Sequence, residues 1–163
     1  LLVEFNDTEV DYPKDKTIVD LFEEQVEKTP NNTVVVFEDK ELTYRQLNEQ
    51  SNQLAGYLRT HYNIKPDDLI GIQLERSEWM IIAILGILKS GGAYVPIDSE
   101  YPQERIDYMI ADSKCKVVID EQELKNFTTE ESEYATTNPT SINKPSNLAY
   151  VIYTSGPQEN LRG

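Results

Sequence analysis

The chain closes on Tyr153-Thr154-Ser155-Gly156-Pro157-Gln158-Glu159-Asn160-Leu161-Arg162-Gly163, directly behind the apolar and aromatic run Leu148 to Tyr153. A strand that turns through two hydroxyl residues and a glycine brings side-chain O–H and backbone N–H donors to one lip, which is what a phosphate group needs. Thr154, Ser155 and Gly156 are therefore the candidate phosphate-binding residues, with Arg162 as a cation and Gly163 as a free-backbone position further on. The tripeptide by itself reads better as an ordinary turn, so its weight depends on what precedes it. Other chemistry is scarce. Cys115 is the single cysteine and His61 the single histidine, so there is no internal disulfide, no metal cluster and no Ser–His or Cys–His pair with a second base. Cys115, beside the run Lys116 to Asp120, reads as a small core residue.

The elements that must position this loop follow from periodicity. Thr17 with Asp20 forms a capping pair for a helix carrying Ile18, Leu21, Phe22 and Val26 on one face and ending at Pro30. Two strands joined by a Glu38-Asp39-Lys40-Glu41 turn come next, and Thr43 with Gln46 caps a second helix striped by Leu47, Leu54, Ala55, Leu58 and Tyr62. Asn63 and Pro66 break that helix. Asp68 to Leu74 reads as a buried strand, Ser77 caps a helix that stops at Gly91-Gly92, and Ala93 to Asp98 is a further strand. A helix with Pro102 in its first turn and the strand Lys116 to Asp120 complete a strand-helix-strand-helix-strand series. That order predicts βαβ crossovers, hence an α/β fold with a largely parallel sheet flanked by helices. From Glu121 to Ser146 the pattern fades, and a loop or poorly ordered insertion with one helical turn near Leu124 is expected.

The totals fit one globular domain: 163 residues, 39% hydrophobic and 27% charged. No stretch reaches the roughly 18 apolar residues of a membrane span. With 29 acidic against 15 basic residues the net charge is -14, which repels nucleic acid and anionic membrane surfaces. The opening residues lack the profile of a signal peptide, so a reducing, cytoplasmic setting is expected.

Three stretches in order resemble the early core motifs of amino-acid adenylation domains of nonribosomal peptide synthetases, within the wider AMP-forming family of acyl-CoA ligases and luciferases. They are Leu42 to Arg59, Ile87 to Ser113, and Leu148 to Gly156; the string Lys-Ser-Gly-Gly-Ala-Tyr-Val-Pro-Ile-Asp followed by Tyr-Pro-x-x-Arg in the second is the most specific. The resemblance implies the first part of the large N-terminal subdomain of the adenylate-forming fold, with residues 1–16 as an interdomain linker and 17–163 as domain, truncated at the phosphate loop. It implies activation of an amino acid by ATP and Mg²⁺ to an aminoacyl-adenylate, passed to a carrier-protein thiol.

In that family the loop reads Thr-Ser-Gly-Thr-Thr-Gly-x-Pro-Lys-Gly. Thr154, Ser155, Gly156 and Gly163 match, and Arg162 stands where lysine is expected. Pro157, Gln158 and Glu159 replace Thr-Thr-Gly, removing an N–H donor and a permissive glycine while adding a carboxylate against phosphate oxygens. The loop is degenerate. In this family the amino-acid pocket and catalytic lysine lie downstream, so the fragment alone is expected to be inactive, to hold no tightly bound cofactor, and to need the remainder of the adenylation domain and a carrier-protein domain as partners. Lys89, Gly91, Gly92 and Tyr94 are expected to bear the fold rather than catalyse, and Asp98 with Arg105 to pair across a turn. The alternatives are a fragment of an acyl- or aryl-CoA ligase of the same superfamily, or a noncatalytic interaction module that self-associates through an uncovered sheet surface.

Overall fold

The computed structural model describes residues 16–142, 144 and 147–153. The chain opens with α1 (Ile18–Lys28), where the Thr17 hydroxyl accepts from the Asp20 N–H and the Asp20 carboxylate from the Thr17 N–H, each at 3.0 Å. This is the anticipated capping pair. Only Val19 of α1 is buried, with Phe22 packed against the core, so its apolar stripe is shallower than the periodicity indicates. A hairpin follows, β1 (Thr33–Phe37) and β2 (Lys40–Thr43), paired antiparallel. Its turn is Glu38-Asp39 alone, with Glu38 at φ 56°, because Lys40 and Glu41 join the ladder instead of the loop.

Helix α2 (Tyr44–Tyr62) carries the second reciprocal cap, Gln46 N–H to the Thr43 hydroxyl at 3.1 Å and Thr43 N–H to the Gln46 side chain at 2.9 Å. Replacing Thr43 by Ala leaves the Gln46 N–H without its hydroxyl acceptor; a loss of about 1 kcal/mol in unfolding free energy is expected from urea titration. Leu47, Leu54, Ala55 and Leu58 are buried along the predicted stripe, and Asn63, left-handed at φ 50°, ends the helix.

The parallel sheet is built from β3 (Leu69–Ile72), β4 (Ala93–Pro96) and β5 (Val117–Ile119) in the order β4-β3-β5, connected by α3 (Glu78–Ser90) and α4 (Gln103–Ser113). Ser77 caps α3 by accepting from the Trp79 N–H at 3.2 Å, and Gly91 closes it at φ 110°, a left-handed value that disfavours any side chain. A Cβ at Gly92 would lie 2.9 Å from the Asp68 carbonyl oxygen, so this residue must be small for β4 to run beside β3. Pro102 sits just outside α4 as its cap residue rather than within the first turn.

Alternation along the strands divides the core in two. Ile70, Ile72, Tyr94 and Ile119 face α2 and α3, the closest helix pair, while Leu69, Val95, Ile97 and Val118 face Ile106 and Met109 of α4. This is the period-2 partition of a sheet covered on both faces.

The structure differs from the sequence-based expectation after β5. In place of a loop with one helical turn near Leu124, α5 (Glu121–Glu130) and a 3₁₀ turn (Glu131–Glu133) follow directly, while residues 134–142 carry no helix or strand, as expected. Asp120 caps α5 by accepting from the Glu123 N–H at 2.9 Å, and Leu124 and Phe127 are buried. The segment beyond is fastened to α2, with the Asn52 side chain donating to the Thr136 carbonyl at 2.7 Å and to the Asn138 side chain at 3.0 Å. Arg59 donates to the carbonyls of Lys89 and Ser90 at 3.1 Å and to that of Thr140 at 2.7 Å, joining the end of α3 to this segment. No described helix is long and apolar enough to cross a membrane.

Candidate functional site

Thr154, Ser155, Gly156, Arg162 and Gly163, the residues singled out for phosphate binding, lie outside the described residues, as do Pro157, Gln158, Glu159 and Leu161. What the structure does describe is how the chain is delivered to them. Tyr150 forms a parallel bridge with Tyr94 of β4: the Tyr94 N–H donates to the Ala149 carbonyl and the Val151 N–H to the Tyr94 carbonyl, both at 3.0 Å. The expected strand Leu148 to Tyr153 is therefore abbreviated to a single bridge among the described residues, yet it keeps strand alternation. Tyr150 and Ile152 pack into the α2/α3 face of the core, and Val151 and Tyr153 into the α4 face.

Because the bridge is parallel, Tyr153 leaves the sheet at the same end as the carboxyl termini of β3, β4 and β5. That end is where ligands of open parallel sheets bind. The lead-in is held at three places along its length. The Leu148 N–H donates to the Asp67 carboxylate at 2.8 Å, and Asp67 is itself left-handed at φ 71°. The Tyr94 and Tyr150 rings stack with centroids 5.8 Å apart, and burial, then the neighbouring Tyr150, push the Tyr94 hydroxyl up to about 12. The Tyr153 hydroxyl donates to the Asp112 carboxylate of α4 at 2.6 Å, with the Tyr108 ring edge-on at 6.2 Å.

A depression of about 250 Å³ lies on the same rim beyond β3 and β5, bordered by Gln73, Glu75, Ser99, Asp120, Glu121 and Gln122. Three carboxylates make it a poor seat for phosphate. Among the described residues no group of three or more His, Cys, Asp or Glu side chains could hold a metal ion.

The remaining chemistry-bearing residues are structural. His61 hydrogen-bonds Glu130 at 2.8 Å, linking α2 to α5. Tyr57 and Tyr62 both donate to one Glu123 oxygen, at 2.6 and 2.8 Å; burial and that carboxylate raise both hydroxyls, Tyr62 to about 12. Cys115 is half-buried, 3.0 Å from the Ser113 hydroxyl, and burial pushes its thiol up, away from thiolate reactivity. Lys89 is only 3% exposed: its ammonium donates to the side-chain oxygens of Asn48 and Asn52 and lies 5.1 Å from the Phe22 ring centre, joining α3 to α2 and α1. Lys89, Gly91, Gly92 and Tyr94 thus bear the fold, as expected. The Asp98–Arg105 pairing is not among the ion pairs of the described residues: Asp98 accepts from the Glu100 N–H at 2.9 Å within its own turn, and the Arg105 guanidinium lies over the Tyr101 ring at 5.7 Å. Asp67, Tyr108 and Asp112 escape a reading of the sequence; the only signal is that Tyr108 and Asp112, four apart on a helix, share a face.

A helix-flanked parallel sheet whose last described strand segment emerges at the carboxyl ends of its neighbours is an open α/β platform. The chain belongs to the AMP-binding enzyme family, whose pattern it matches over residues 22–157. Over its whole length it is 49% identical to part of bacitracin synthase 1 of Bacillus licheniformis and 48% identical to part of gramicidin S synthase 2 of Brevibacillus brevis. It spans 3% and 4% of the lengths of those relatives. Its structure is similar to that of the nonribosomal peptide synthetase FmoA3 in a form bound to alpha-methyl-L-serine-AMP, with a TM-score of 0.80 and 27% identity, covering 93% of this chain and 18% of that one. The N-terminal subdomain of Klebsiella oxytoca NpsA shares the fold, with a TM-score of 0.73 and 22% identity over 89% of this chain and 40% of that one.

Proposed function

We propose that this chain forms the first part of the large N-terminal subdomain of an adenylation domain, which activates an amino acid with ATP to an aminoacyl-adenylate for transfer to a carrier-protein thiol. The observation that carries the reading is the parallel docking of Tyr150 beside β4, which brings Tyr153 to the carboxyl rim of the sheet, in a chain nearly half identical throughout to segments of peptide synthetases. The loop Thr154, Ser155 and Gly156, with Arg162 and Gly163, contacts the ATP phosphates in this reading. Residues 1–16 are the linker that precedes the domain, and 17–163 belong to the domain itself. The setting is cytoplasmic, where ATP is abundant.

The chemistry needs the carboxylate held in line with the α-phosphorus and the charge growing on the phosphates met by N–H and cationic donors, with Mg²⁺ neutralising part of it when bound. The described residues supply placement: a rigid sheet, two helical layers and a pinned strand. The amino acid and the carrier domain are met by other parts of the protein that carries this segment.

The test is amino-acid-dependent exchange of pyrophosphate into ATP. The protein carrying this segment is expected to exchange with one or a few of the common amino acids; exchange with none of them, or exchange only with acyl or aryl acids, overturns the reading. The 163 residues alone are expected to show no exchange. Self-association of the isolated chain through an uncovered sheet surface would register in light scattering as a mass above the monomer's.

A further inference from the structure

We infer that residues 134–140 form a strap that opens locally from α2, and that Lys89 holds it closed at one remove, through the side-chain amides of Asn48 and Asn52; the inference is independent of the function proposed above. The Lys89 ammonium donates to the side-chain oxygens of Asn48 and Asn52, the latter at 2.6 Å, and to the Asn48 carbonyl at 3.4 Å. On their other side the same two amides face the strap. The Asn52 nitrogen donates to the Thr136 carbonyl at 2.7 Å and to the Asn138 side-chain oxygen at 3.0 Å, and the Asn48 nitrogen donates to that same oxygen at 3.0 Å. An ammonium can only donate and a peptide carbonyl can only accept, so the two ends of Asn52 fix one orientation of its amide. The ammonium turns Asn48 the same way, and Asn138 receives two donors at one oxygen. Lys89 and Asn52 are 3% and 2% exposed, so a lost partner is not replaced by bulk water.

The strap is fastened by side chains of α2 in place of a backbone ladder. Residues 134–140 carry no helix or strand, and Ala135 to Asn138 are exposed. At one end Gln53 donates to the Glu131 and Tyr134 carbonyls at 3.2 and 3.3 Å, and at the other Arg59 donates to the Thr140 carbonyl at 2.7 Å. Between these pins the asparagine pair holds the middle. A segment with little buried apolar surface opens at a smaller free-energy cost than the core beneath it. Without the ammonium, both asparagine oxygens lose their buried donor and nothing keeps the amide nitrogens turned toward the strap. The lysine of the Lys-Ser-Gly-Gly string thereby acts on a stretch of chain that lies beyond α4, β5 and α5 in sequence.

The experiment digests the intact protein that carries this segment with chymotrypsin under native conditions. Mass spectrometry follows the cut after Tyr134, in the strap, and the cut after Phe127, which is fully buried in α5. The ratio of the two rates reads opening of the strap against loss of the fold beneath it. Asn52→Asp keeps an oxygen toward Lys89 but loses both N–H donors to the strap, and is expected to raise the ratio about tenfold or more. Lys89→Met is expected to raise it about three- to tenfold, and Asn138→Ala about threefold. Lys89→Met combined with Asn138→Ala should raise it by less than the product of the two, because both act through the same amides. The inference is overturned if Asn52→Asp leaves the ratio unchanged, if Lys89→Met speeds both cuts equally, as a lysine that only stabilises the core would, or if the two effects multiply. Should Lys89→Met fail to fold, Lys89→Gln takes its place with the same expectation, since its amide ends one bond short of the ammonium position. None of these outcomes depends on nucleotide chemistry, so a failure here leaves the functional reading standing, and a protein that never exchanges pyrophosphate leaves this inference standing.

Discussion

Phe127→Ala is expected to lower the unfolding free energy by about 3–5 kcal/mol, measured by urea denaturation at neutral pH. Phe127 is fully buried on α5, where its ring meets Tyr57 of α2 edge-on at 5.5 Å and Trp79 of α3 edge-on at 6.4 Å. Truncation removes the buried area, both aromatic contacts and the filling of a site walled by two other helices, which has little room to collapse. Against a typical total of about 5–15 kcal/mol, that loss is severe. The result also discriminates between two pictures of residues 121–133. A surface insertion would tolerate the change within about 0.5 kcal/mol. An exchange-protected amide at Phe127, lost in the variant, would add independent support for a docked helix.

The second large effect is a pH dependence centred on Lys89. Burial pulls its ammonium down to about 7, and Glu23 of α1 opposes the shift without cancelling it. Asn48 and Asn52 of α2 supply oxygen acceptors, and the Phe22 ring covers another side. The folded-state pKa thus lies below the unfolded value of about 10.4. Between these two pH values the unfolded chain holds a proton that the folded chain has released, so stability rises as pH climbs from about 7 toward 10. Below pH 7 both states are protonated and the cost of burying the charge is constant. Glu23 is raised by its own burial and pulled back by the Lys89 charge. Comparing the parent chain with Lys89→Met cancels the titrating groups that do not face Lys89. The parent should gain on the order of 4 kcal/mol relative to the variant over that span. A difference that stays flat from about pH 6.5 to 10 shows that Lys89 keeps its proton in the fold.

These two sites also mark where sequence reasoning succeeds and where it stops. Thr17 with Asp20, Thr43 with Gln46, Ser77 and Gly91 announce helix ends through interactions three residues long or less, and each is found in place. The parallel sheet is legible because β3, β4 and β5 are apolar runs separated by helix-length intervals. Helix α5 escapes because Leu124 and Phe127 are its only buried residues, followed by Thr128 and Thr129, so it shows no repeating stripe. What makes it a helix is a groove offered by Tyr57 and Trp79, far away in the chain. Lys89 can be recognised as fold-bearing, but its asparagine partners cannot, since nothing local joins them. The proposed phosphate loop is legible only through the company it keeps with two upstream motifs.

The single bridge between Tyr94 and Tyr150 has a kinetic side. The unit β3, α3 and β4 is assembled from neighbouring stretches of chain and can form early, whereas the lead-in to the phosphate loop reaches β4 only after α4, β5 and α5 have been synthesised. Contacts of such long separation form late, because the closure entropy of the intervening chain must be overcome first. On a ribosome the Tyr94–Tyr150 bridge thus settles after the unit β3, α3 and β4, and until then the β4 edge stands open beside Tyr94.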